Sequence, residues 1–193
     1  QALAQIGEAY SENRWQSQRY RRLTEIAAEI VAEHADMEQE DVFTGFLAQQ
    51  GYATPKVDVR GAVFRDHRLL MVRERLDDNW TMPGGWADVG DTPAQAVERE
   101  VLEESGFRVK ARKVIGVYDA NRIEPLDLYH AFKVVFLCEL IGGEASISDE
   151  TDKVAFFKAD QIPANLSAER TKPYHIRAAF AADADPSTPC IFD

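Results

Sequence analysis

The chain has little cysteine, an excess of acid over base, and no long apolar run. Its 193 residues hold two cysteines, Cys138 and Cys190, too few for a disulfide framework, and no Cys/His spacing suits zinc. Cys138 lies in an apolar stretch and reads as a small buried hydrophobe. This usage fits a reducing, cytoplasmic setting. Lys and Arg number 22 against 33 Asp and Glu, a net charge of −11. That sign disfavours a nucleic-acid backbone or an anionic membrane as the main partner. No apolar run approaches the ~20 residues of a membrane span, so no membrane partner is expected. The chain begins at Gln1 rather than Met, so a start upstream of it is expected, and the residues present carry no signal-peptide pattern.

What is present divides in two. Residues 1–53 read as a small all-helical domain and 54–193 as a second, mixed domain. The first part predicts a short helix carrying Leu3, Ile6, Ala9 and Tyr10, then a long one from Arg14 to about His34, capped near Asn13. Leu23, Ile26, Ala27, Ile30 and Val31 recur at helical spacing and predict one buried face. A third helix is expected after Asp36, with Val42, Phe43, Phe46 and Leu47, ending at Gly51. From Val57 the period changes. Residues 57–64 and 69–76 predict a β-hairpin around "RDHR", and 109–120 and 129–140 two further strands. Residues 93–104 predict a helix, "VAFFKADQIP" a strand, and 167–182 a last helix despite Pro173; the tail reads as irregular. Without strict strand–helix alternation the class is mixed α/β, or α+β, rather than doubly wound.

The chemistry concentrates in "WTMPGGWADVGDTPAQAVEREVLEESGF", Trp80 to Phe107. On a helix, Glu100, Glu103 and Glu104 share an arc of about 100°. Val97 and Val101 lie beside it and Ala94 further on, facing a core. Three oxygen donors on one face suit a hard divalent cation such as Mg²⁺. The bland alternative is a solvated, glutamate-rich helix face. Pro83, Gly84 and Gly85 form a turn where backbone can approach a ligand closely, and a bare glycine carbonyl is a further oxygen donor. Asp91, Thr92 and Pro93 read as the cap and first turn of the helix.

This stretch closely resembles the Nudix box, G-x5-E-x7-R-E-U-x-E-E-x-G-U, with U a bulky apolar residue. Gly85, Arg99, Glu100, Val101, Glu103, Glu104, Gly106 and Phe107 match it. Asp91 stands where the pattern has Glu, still a carboxylate but one methylene shorter. The resemblance covers roughly residues 57–165 and implies an α/β/α sandwich around a mixed sheet. It implies an enzyme, a pyrophosphohydrolase that uses Mg²⁺ or Mn²⁺ to cleave a nucleoside diphosphate linked to another moiety. Carried over by position, Glu100, Glu103, Glu104 and the Gly85 carbonyl would bind metal, and Arg99 would orient the glutamates. Divalent ions would neutralise the diphosphate and acidify a water.

The general base would come from the "SISDETDKV" loop in such relatives. Glu150 is the candidate, with Asp149 and Asp152 behind it; a helix glutamate is the alternative. Arg60 and Arg73 sit mid-strand and must face solvent or a cleft, where either could hold diphosphate oxygens. Trp80 and Trp86 flank the glycine turn and either stack on a base or pack over the box. His130 could reach substrate, and Tyr118, with Asp119 and Arg122, belongs to a turn that could line the mouth of the site.

"AYSENRWQSQRYRRLTEIA" resembles the N-terminal domain of a bacterial Nudix subgroup acting on X-linked nucleoside diphosphates, for which ADP-ribose and CDP-choline are the implied small-molecule substrates. Its helices need a surface to bury them. A second copy, giving a homodimer, is one; the chain's own following domain is the other. A non-catalytic nucleotide sensor, or a hydrolase of nucleoside triphosphates or capped RNA, are the rival readings. Residues 1–50 hold four Arg and nine acids, which disfavours a DNA-binding sensor.

Overall fold

The computed structural model describes residues 1–35, 37–49, 51–122 and 130–193. Asp36 and Tyr129, taken above as marking a helix start and a strand start, lie outside the described residues. Two compact units emerge, residues 1–55 and 56–193. No described helix is long and apolar enough to cross a membrane.

The first unit has three helices, α1 (Ala2–Ala9), α2 (Arg14–Ala35) and α3 (Gln39–Leu47). Its packed interior is small. Ala4 of α1, Thr24 and Ala28 of α2, and Val42 and Phe46 of α3 are buried. The apolar stripe of α2 is not the face that packs. Leu23, Ile26 and Ile30 are exposed, Leu23 by 51% and Ile30 by 55%, while Thr24 and Ala28 take the inner positions. Small residues let helices approach closely, so the large ones are left for another surface.

The second unit is built on β1 (Lys56–Arg65), β2 (Arg68–Glu74), β3 (Trp80–Thr81), β4 (Phe107–Asp119), β5 (Ala131–Gly143), β6 (Thr151–Phe157) and β7 (Ile191–Phe192), with helices α4 (Pro93–Ser105) and α5 (Pro173–Ala184). The strand order is β3-β2-β1-β5-β4-β7, with β6 on the other edge of β2. β1 runs parallel to β5, whereas β1–β2, β2–β6 and β4–β5 are antiparallel, so the sheet is mixed. Side chains alternate between two cores. Val59, Val63 and Leu70 pack with Ala96, Val97 and Val101 of α4. Ala62, Leu69 and Met71 pack with Ile176, Ala179 and Ala182 of α5. A helix on each side of the sheet makes the α/β/α sandwich expected of the box. Buried Cys138 joins the α4 core, its thiol pushed up to about 12 by burial.

Three boundaries differ from the sequence reading. β2 ends at Glu74, two residues early, because Asp77 caps a turn at Asn79 and Asp78 adopts a positive φ of 58°. The last helix starts at Pro173 rather than 167: proline lacks an N–H and restricts the residue before it, which suits the first helical position. The tail, expected to be irregular, adds β7 beside β4.

Candidate active site

The helix that carries the glutamates is fixed at both ends by its own sequence. The Thr92 hydroxyl accepts from the Gln95 N–H, and the Gln95 side chain accepts from the Thr92 N–H, a reciprocal cap with Pro93 in the first turn. Gly106 ends α4 at φ 75°, where a Cβ would run into the Glu144 carbonyl oxygen. Ala96, Val97 and Val101 bury the inner face, with Ala94 only half-buried; Glu104 is buried beside them, Glu100 is half-buried and Glu103 is exposed.

The turn before it is bonded to β1 almost as a strand would be. The Val59 N–H donates to the Gly85 carbonyl at 2.8 Å, the Gly61 N–H to the Pro83 carbonyl at 2.8 Å, and the Ala87 N–H to the Val57 carbonyl at 2.9 Å. The Gly85 carbonyl, expected to be a metal donor, accepts one hydrogen bond from β1 and keeps its second lone pair. The residue is glycine for a different reason. A Cβ there would lie 2.8 Å from Glu100 Oε2, in the space that carboxylate occupies.

Arg99 gathers acids around itself: Glu100 at 2.8 Å, Glu103 at 3.1 Å, Asp91 at 3.2 Å and Asp88 at 3.1 Å. Asp91, the shorter box acid, thus ties the loop to α4. Glu104 takes a different environment. It is 5% exposed, accepts from the Gly84 N–H at 2.9 Å, and burial pushes its carboxyl up to about 8, against the pull of Arg60. Glu100 is raised too, chiefly by burial. Among the described residues no three acids, histidines or cysteines converge closely enough to hold a metal ion as they stand. Arg99 draws Glu100 and Glu103 to itself. The donor chemistry nevertheless fits a hard cation, since crowded, partly buried carboxylates are what a positive ion relieves.

These groups border a cavity of 510 Å³ lined by Arg60, Trp86, Arg99, Glu100, Glu104 and Glu150, with Gly84 and Gly85 at its edge. Glu150 also faces Glu100, Glu103, Glu104 and Asp149 across a second, smaller cavity. Thr151 fixes that loop by donating to the Glu104 carbonyl at 2.7 Å. Trp86 is 43% exposed, with the Lys56 ammonium 5.9 Å from its ring centroid.

Four expected substrate contacts are placed elsewhere. Arg73 points away from the cavity and forks onto Asp152, which fixes both. Trp80 packs edge-on against Phe157 at 4.9 Å and its backbone pairs with Leu166, so it closes the far side of β2. Tyr118 is buried in the α5 core, 4.7 Å from the His175 ring, rather than at a mouth. His130 is exposed and contacts Asp119 at 3.1 Å, outside the cavity lining.

The cavity also holds residues not singled out above. Glu74, 4% exposed and raised by burial, is held by Arg170 at 3.3 Å. Leu70, Val72 and Glu74 alternate on one face of β2, and an acid in that row was the legible signal. Asp58 and Lys133 line the cavity beside Arg60. Each was visible as a charge among apolar strand neighbours.

Comparison with known proteins settles the family. The NUDIX domain description matches residues 54–178. The chain belongs to the Nudix family. A second description, a UDP-X-like N-terminal oligomerisation domain, matches residues 1–46. The chain is 35% identical over 193 residues to YjhB of Bacillus subtilis, provisionally named an ADP-ribose pyrophosphatase, covering 100% of this chain and 92% of that protein. A crystal structure of a UDP-X diphosphatase superposes with a TM-score of 0.67 at 29% identity, over 100% of this chain and 93% of that one. An ADP-ribose pyrophosphatase from Streptococcus suis also gives 0.67, at 34% identity, over 72% of this chain and 100% of that one. This Nudix chain is thus an enzyme of the pyrophosphatase type.

Proposed function

We propose that the protein hydrolyses the pyrophosphate bond of a nucleoside diphosphate joined to a second moiety, with Mg²⁺ or Mn²⁺. ADP-ribose and UDP-linked compounds are the first substrates to consider, given the relatives' names, and a CDP-alcohol such as CDP-choline comes after them. The observation that carries the reading is the carboxylate wall of the cavity, where Glu104 is pushed up to about 8 beside Glu74 and Glu100. Glu100, Glu103 and Glu104 would hold the metal. A bound divalent ion would supply there the positive charge a diphosphate needs and lower the pKa of a water. Arg99 keeps the glutamates aimed as one group. Glu150, which lines the same small cavity, would take a proton from the attacking water.

The test is turnover by the purified chain of ADP-ribose, UDP-glucose, CDP-choline, NADH, diadenosine polyphosphates and nucleoside triphosphates with each metal. Hydrolysis of at least one sugar- or alcohol-linked diphosphate in preference to triphosphates is expected; no turnover of any diphosphate sinks the reading. Glu104→Gln should lower kcat by roughly 10²–10⁴-fold with an unchanged circular dichroism spectrum. A loss under tenfold would remove Glu104 from the mechanism.

We also propose that the chain is a homodimer joined through α2. Support comes from the exposed Leu23, Ile26 and Ile30 and from the oligomerisation-domain match over the same residues.

A further inference from the structure

The cavity has a second wall, opposite in charge to the first. Asp58 and Lys133 are register partners on the parallel strands β1 and β5, and Arg60 lies two residues along on the same face. All three line the cavity, yet are at least nine-tenths buried. Asp58 accepts three hydrogen bonds from the two cations. Its Oδ1 accepts from Arg60 Nε and from Lys133 Nζ, both at 2.9 Å, and its Oδ2 accepts from the second arm of Arg60 at 2.7 Å. Arg60 also donates to the Met82 carbonyl at 3.3 Å.

The direct pairing is uneven. Two buried cations pair with one buried anion, with Glu104 and Glu74 acting on Arg60 from farther off, and among the described residues the Lys133 ammonium donates to Asp58 alone, leaving two of its three N–H groups over. A buried charge without a full complement is costly unless the site is meant to receive one. Burial first, then the charge of Arg60, brings Lys133 down to about 8 in spite of Asp58. Asp58 itself is held below the usual carboxylate range, its burial outweighed by the two cations. The wall is short of negative charge, and it faces the space a substrate would fill. The carboxylate wall opposite repels anions, so a free phosphoryl group in the cavity is driven to this side.

We propose that Arg60 and Lys133 form a phosphoryl-binding subsite, which grips the phosphoryl group of the diphosphate that the carboxylate wall does not take, with Asp58 holding the two cations in place. This rests on the reading of the substrate as a diphosphate. It divides the labour within the cavity: the α4 side carries the reaction, and the β1–β5 side holds the neighbouring phosphate so that the scissile bond lies across the glutamates.

AMP binding to the full chain in EDTA, followed by isothermal titration calorimetry, tests the subsite without metal or turnover. Wild type should bind AMP, and Lys133→Met should weaken binding at least fivefold, with Lys133→Arg recovering part of the loss. With Mg²⁺ and ADP-ribose, Lys133→Met should raise KM at least fivefold and change kcat by less than threefold. No AMP binding by wild type, or a smaller effect of Lys133→Met on AMP, overturns the proposal. Should Lys133→Met fail to fold, Lys133→Gln decides. It keeps a polar group against Asp58 and removes the charge, so AMP should again bind at least fivefold more weakly; binding equal to wild type would overturn the proposal. If wild type binds AMP but hydrolyses no diphosphate, the proposed function fails while the subsite stands.

Discussion

Helix α4 has 13 residues and is completed by its own chain: a reciprocal cap at Thr92, a glycine stop at Gly106, and a fully buried inner face. Helix α2 has 22 residues, turns Thr24 and Ala28 inward, and leaves Leu23, Ile26 and Ile30 exposed. Both carry amphipathic patterns, yet the pattern means different things in each. In α4 the polar face is the unusual one, because its acids crowd together and burial raises Glu100 and Glu104. In α2 the apolar face is the unusual one, because the described residues of its own unit leave it exposed. A helix whose local signals are all satisfied at home is placed by its own chain. One with leftover apolar surface is completed from outside.

The comparison can be broken most severely in α2. Leu23→Asp with Ile30→Asp should raise the dimer dissociation constant about a hundredfold or more, since each side chain stands to bury about 1.5–3 kcal/mol of apolar surface. Sedimentation velocity should then show folded monomers; an intact dimer would mean that α2 faces solvent in the assembly. In α4, Gly106→Ala should cost about 2–4 kcal/mol of stability, because alanine must adopt a left-handed conformation and meet the Glu144 carbonyl. Urea unfolding measures it, and a midpoint equal to wild type would show that the stop is not fixed. The sharpest contrast is the smallest effect. Gly45, inside α3, has nothing within 4 Å of an added Cβ, so Gly45→Ala should stabilise by about 0.5–1 kcal/mol in the same assay. A loss there would mean that α3 too is closely packed.

Much of the second unit was legible because its signals are local. Spacing located α4, its cap, the glycine turn and the three glutamates, while the ion pairs around Arg99 were what the resemblance implied. The β1–β2 hairpin followed from alternation around a short polar turn. Less legible was which face of a strand meets the cavity. Arg60 and Arg73 look alike in sequence, but Arg60 is drawn inward by Asp58 and Arg73 outward by Asp152, 79 residues away in sequence. Long-range partners of this kind leave no local trace. Glu74 and Lys133 were readable in principle, as charges in rows of buried apolar residues, and were passed over for the arginines. Tyr118 misled in the opposite way. Its place beside a polar turn suggested a rim, whereas its ring is enclosed by Tyr174 and His175 from α5. The stripe of α2 was legible as a face needing burial, and within its own unit Thr24 and Ala28 take the inner positions instead.

The ladder between β1 and the glycine turn works as a ruler. Pro83, Gly85 and Ala87 meet β1 at every second residue, so the segment has a phase as well as a length. Deleting one residue from it would invert that phase. Trp86 would swing out of the cavity, and a residue with a side chain would be pushed toward Glu100. The run from Pro83 to Ala87 is therefore a distance marked off along a neighbouring strand, before the turn that carries Asp91. A signature written as letters and gaps survives here because its gaps are measured by something rigid.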